Sequence, residues 1–260
     1  MATAPEAANL PLFYKDLVPL NTTEHATWKS KPMDDASFMQ GQHAIPLTVE
    51  EFVSASRNYP IIFSDSDTPV PLALMGLNEG VNTFMDDKGQ FTTPVYIPAY
   101  VRRYPYLLAK LRPESDELSL CFDPTCGVIG DFKKEGTALF EDGKPSEQVQ
   151  AALKFCEDFE TAGARTQSFM EELTKSDLLM DGEVSIQQAD VEQPFVYRGF
   201  KMIDEEKLRN MRGDELRKMN QNGMLPLIHA HLFSLQLMRE IFAMQVQQGK
   251  VPQINQVPLN

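Results

Sequence analysis

Pro60-Ile61-Ile62-Phe63-Ser64-Asp65-Ser66-Asp67-Thr68-Pro69-Val70-Pro71-Leu72-Ala73-Leu74-Met75-Gly76-Leu77 sets two apolar runs on either side of a short polar segment. Asp, Ser, Thr and Pro supply the conformations that tight connections need, so the runs read as strands folded back on each other. Antiparallel pairing is the simplest result. Continuing outward, Val81 to Met85 and Phe91 to Ile97 extend the pattern, with turn signals at Asn78-Glu79-Gly80 and Asp86-Asp87-Lys88-Gly89. The whole of Pro60 to Tyr100 is therefore expected to be a β-rich meander.

Beyond Pro98 the pattern changes. Ala99 to Leu111 reads as a short helix interrupted or restarted by Pro105, followed by strand alternation at Leu118, Leu120 and Phe122. Another strand is expected over Thr137 to Phe140, then a turn at Glu141-Asp142-Gly143. Ser146 is placed to cap a helix whose apolar stripe is Val149, Ala152, Leu153, Cys156 and Phe159. A second helix is expected over Ala164 to Lys175, and a strand over Phe195 to Ile203, a candidate to return to the first sheet. The end is helical: Asp204 to Met211, Asp214 to Asn220, and one long apolar helix over Leu225 to Gln247.

Strands followed mainly by helices define an α+β fold, with an antiparallel β-rich N-terminal half and helices mainly in the C-terminal half. The expected organisation is a weakly ordered N-terminus over 1–10, a single α+β domain over 11–248 and an extended tail over 249–260. Lys144 is the candidate point of subdivision, although no Gly/Ser-rich linker marks it.

The 260 residues suffice to bury a core without a metal or disulfide staple. A net charge of -13 disfavours nonspecific attachment to nucleic acid or anionic lipid. Met1 to Leu20 lacks the basic start and continuous apolar core of a signal peptide, and no segment approaches the roughly 20 apolar residues of a membrane span, so a cytoplasmic location is expected. Cys121, Cys126 and Cys156 lack a CxxC pair and read as reduced thiols, with Cys156 in the core and the other two the more reactive candidates.

Signatures of catalysis are sparse. Asp65 and Asp67 form a DxD pair that could hold a divalent cation, but their Ser, Thr and Pro neighbours are ordinary turn formers. His229 and His231 diverge by roughly 200° on a helix, a spacing that argues against a shared metal and for packing or capping. GxSxG, HExxH and phosphate-cradling glycine motifs are absent. No catalytic residue, metal ligand or cofactor is assigned.

Tyr96-Ile97-Pro98-Ala99-Tyr100-Val101-Arg102-Arg103-Tyr104-Pro105-Tyr106 holds four tyrosines and two arginines in eleven residues. One account is a strand-to-helix corner packed by rings, with the arginines meeting carboxylates. The other makes Tyr96, Tyr100, Arg102, Arg103 and Tyr104 a recognition surface for a peptide, a carboxylate or another protein. The broad apolar surface of the last helix leaves self-association open as well.

At this segment the chain resembles the bacterial SapC family. The likeness extends through Phe13-Tyr14 with Pro19-Leu20, Tyr59-Pro60-Ile61-Ile62-Phe63, Leu139-Phe140 with Gly143, Gly223-Met224-Leu225 and Ala230-His231-Leu232-Phe233-Ser234-Leu235. The resemblance implies a fold family and, through the family name, an association with surface-layer proteins; it carries no catalytic residue set. The expected function is a non-catalytic accessory protein binding a protein or peptide partner, linked to cell-envelope or surface-layer protein handling. The alternative is a small-ligand binder or a metal-dependent enzyme using Asp65 and Asp67.

Overall fold

The computed structural model describes residues 10–112, 117–187 and 193–250. The expected weak order of the N-terminus and the extended tail concern residues that, apart from Leu10, Gly249 and Lys250, lie outside the described range. The fold is α+β, with many antiparallel strands in the N-terminal half and helices mostly in the C-terminal half. The chain divides into two compact units: one takes the described residues up to Phe38 with Tyr100–Thr161, the other Met39–Ala99 with the described residues from Ala162 onward. Lys144 lies within the first.

In the first unit the strand Leu118–Phe122 lies between Val18–Pro19 and Tyr106–Lys110, all antiparallel. Alternate side chains of a strand face opposite ways. Tyr106, Leu108 and Phe122 accordingly join a cluster with Ile129, Leu139, Val149 and Cys156, whereas Leu107 and Cys121 meet Tyr14 and Leu17 on the other face. Lys29–Ser30 is the middle strand of a second sheet, flanked by Ile129–Gly130 and Thr137–Ala138. The hairpin Phe140–Glu141 to Lys144–Pro145 turns through Asp142 and Gly143, both at positive φ (50° and 75°). Those two residue types tolerate that conformation, and such turns match the twist of a strand pair.

The second unit is built on a five-stranded antiparallel sheet in the order Leu179–Asp181, Phe200–Ile203, Ile61–Ser64, Pro71–Leu74, Ala44–Pro46. Ile61, Ile62 and Phe63 are buried, as a central strand requires. The strand expected over Phe195 to Ile203 is two: Phe195–Tyr197 pairs with Val184–Ile186, while Phe200–Ile203 returns to the first sheet beside Ile61–Ser64, Phe200 pairing with Ser64 and Lys201 with Phe63. The helix Met224–Ser234 packs on Phe200–Ile203 and on Ile61–Ser64.

Four further local expectations are corrected. The meander ends at Leu74: in 81–97 only an isolated bridge joins Met85 to Phe91. Thr83 donates its hydroxyl to the Met75 carbonyl, and Asn82 Oδ1 accepts from the Phe84 N–H, so side chains satisfy backbone groups that a ladder would have used. Phe84 and Met85 are buried, which explains the apolar signal without a strand.

The helix expected over Ala99 to Leu111 stops at Arg102, and Tyr106–Lys110 is a strand. Pro105 cannot donate to a helical bond and disfavours helix at Tyr104. The two helices expected after Ser146 are one, Glu147–Lys175, in which Gly163 costs about 1 kcal/mol of propensity without breaking the ladder. Ser146 does accept the first helical bond through its carbonyl, but its hydroxyl is buried without a partner. The long last helix is three pieces: Met224–Ser234, a tighter turn at Leu235–Leu237, and Met238–Gln247. Ser234 donates its hydroxyl to the His231 carbonyl, a back-bond that locally competes with the helix.

Candidate functional site

The Tyr/Arg segment divides at Tyr100, and its residues have different surroundings. Tyr96 belongs to the second unit and every polar atom of it is engaged. Its N–H donates to Asn58 Oδ1 (3.0 Å), its carbonyl accepts from the Tyr59 hydroxyl (2.8 Å), and its own hydroxyl donates to Glu51 Oε1 (3.0 Å). Glu51 is 4% exposed and also accepts from the Ala99 N–H (2.6 Å) and, through Oε2, from the N–H and hydroxyl of Thr48 (2.8 and 2.9 Å). Thr48 to Glu51 carries the S/T-x-x-E capping pattern, a signal present in the sequence and passed over.

In the first unit Arg103 is 6% exposed and enclosed by rings, its guanidinium carbon 4.3 Å from the Tyr100 centroid and 4.4 Å from Phe159. A guanidinium over aromatic faces is favourable where water is excluded. Its nearest carboxylate, Glu160, stands 3.8 Å away, and Arg103 Nε is buried without a hydrogen bond. Tyr104 tilts against Phe38 at 4.4 Å and meets Phe13 and Tyr14 edge-on. Phe13 holds a positive φ of 81°, a conformation a bulky residue rarely adopts, and its ring is fixed by Phe38 and Tyr100. Burial pushes the hydroxyl pKa of Tyr100 up against the pull of Arg103, and that of Tyr104 up with the help of the Asp123 carboxylate. Both stay neutral donors.

Arg102 is the exposed member, its guanidinium carbon 5.2 Å from the Phe155 ring centroid. With Arg103, Tyr104 and Tyr106 it lines an open groove of about 290 Å³, which Ser30, Lys31 and Phe155 also line. Among the described lining residues are three cations and no Asp or Glu. Tyr106 Oη is buried and faces the Ser30 hydroxyl without closing a hydrogen bond of ordinary geometry. Sequence reasoning nominated Arg102, Arg103 and Tyr104 but missed Lys31 and Phe155, which lie far along the chain and carry no local motif.

The alternative metal pair has different neighbours. Asp65 and Asp67 are exposed in the turn between the two central strands, and Asp65 lies 3.3 Å from Lys201 Nζ, which also pairs with Asp181. Among the described residues no three His, Cys, Asp or Glu side chains converge as metal ligands.

His231 and the cysteine thiols are held by bonds or burial. His231 is fully buried between two strands; Nδ1–H donates to the Ile61 carbonyl (2.7 Å) and Nε2 accepts from the Ile203 N–H (3.1 Å). His229 is exposed and stacks on Phe233. Burial pushes the Cys121 and Cys156 thiols up to about 11, and also raises Cys126. At pH 8 the first two are almost wholly protonated, so native protein should react slowly with an aromatic disulfide reagent. All three thiols should react promptly after unfolding; rapid native reaction of all three would contradict the burial.

A protein-family model described as SapC matches residues 20–241. No curated protein and no solved structure matches the chain. No helix of the described residues is long and apolar enough to cross a membrane.

Proposed function

The chain belongs to the SapC family, and from that premise and the groove beside Arg102 we propose that it is a cytoplasmic accessory protein without a catalytic centre, binding a protein or peptide partner in the handling of cell-envelope or surface-layer proteins. The groove is the observation that carries the reading. It presents an exposed arginine over an aromatic ring beside a lysine, whereas burial raises the Cys121 and Cys156 thiols and His231 is bonded at both ring nitrogens. Arginine and aromatic side chains are the types that anchor protein interfaces. Tyr100 and Arg103, both buried, serve this surface by holding Arg102 and Tyr104 in place.

The test is native mass spectrometry of the full chain isolated gently from its own cells, as wild type and as Lys31→Ala with Arg102→Ala. A copurifying polypeptide that is lost in the double variant, at unchanged circular dichroism, is the expected result. A bare chain in both, or a small molecule in place of the polypeptide, would end the partner reading.

A further inference from the structure

We draw no further inference here: the strongest candidate, the outer face of the helix Met224–Ser234, where Phe233 is 68% exposed and stacks on His229 and no Asp, Glu, Lys or Arg interrupts the helix, is an unpartnered apolar face, and nothing in the structure shows what covers it.

Discussion

His231→Ala should lower the stability of the protein by about 4 kcal/mol, a drop of about 10 °C in melting temperature for a chain of this size. Phe200–Ile203 and Ile61–Ser64 pair at Phe200 with Ser64 and at Lys201 with Phe63, and the same register continued would set Met202 opposite Ile62 and then Ile203 opposite Ile61. There the imidazole stands between the strands, accepting the Ile203 N–H at Nε2 and giving its Nδ1–H to the Ile61 carbonyl. The backbone partners fix the tautomer, because an amide can only donate and a carbonyl can only accept. Stacking on Phe63 at 4.7 Å holds the ring plane, and Ser234, one turn along, accepts the Ile61 N–H. Deleting the ring leaves two buried backbone groups unpaired and a cavity beside Phe63. Urea or thermal unfolding followed by circular dichroism measures the loss; a change under 1 kcal/mol would remove the imidazole from its bridging role.

The same ring gives stability a pH dependence. Burial lowers its pKa from 6.5 to about 4, with the Ile61 carbonyl pulling the other way. Between those values the unfolded chain binds a proton at His231 that the folded chain refuses, so stability falls as pH falls. The contribution is fully present above pH 6.5 and is lost progressively down to about pH 4, about 3 kcal/mol in all. His231→Gln supplies an amide that both donates and accepts but does not titrate. Its unfolding free energy should decline less steeply than that of wild type between pH 6.5 and 4.5, and parallel slopes would assign the acid sensitivity to other groups.

The particular residues show why the sequence was legible in some places and opaque in others. Ile61 to Leu74 announced its strands because apolar runs and turn formers are both local signals, and the helix after Ser146 because its stripe is periodic. Segment 81–97 misled because burial alone makes Phe84 and Met85 apolar, while Asn82 and Thr83 bond to backbone in place of a ladder. In the candidate site Arg102 was conspicuous by its tyrosine-rich context. Lys31 and Phe155 were not, since only the tertiary fold brings positions so far apart in sequence to one groove. His231 and Tyr96 were noticed for their chemistry, and the fold spends that chemistry on backbone groups.

Glu51 extends that point, and its replacement should be nearly as damaging as that of His231. Its carboxylate accepts four hydrogen bonds from uncharged donors: the Thr48 N–H and hydroxyl, the Tyr96 hydroxyl and the Ala99 N–H. Two of these are backbone amides at helix starts, Thr48 before the turn Val49–Glu51 and Ala99 at the head of Ala99–Arg102. One carboxylate therefore supplies acceptors where two short helices lack them, and does so at 4% exposure. Glu51→Gln keeps the shape but turns an NH2 group toward donors, and should cost about 2 kcal/mol; Glu51→Ala, which abandons all four donors, should cost about 3 to 5 kcal/mol. The neighbouring Glu50 is exposed and paired with Arg165, so Glu50→Gln should change stability by less than about 1 kcal/mol. Chemical unfolding of the three variants side by side decides the matter. Equal effects at Glu50 and Glu51 would mean that charge near the helix start matters and the buried bonds do not, whereas the expected gap would make the four buried bonds of Glu51 the source of its stabilisation.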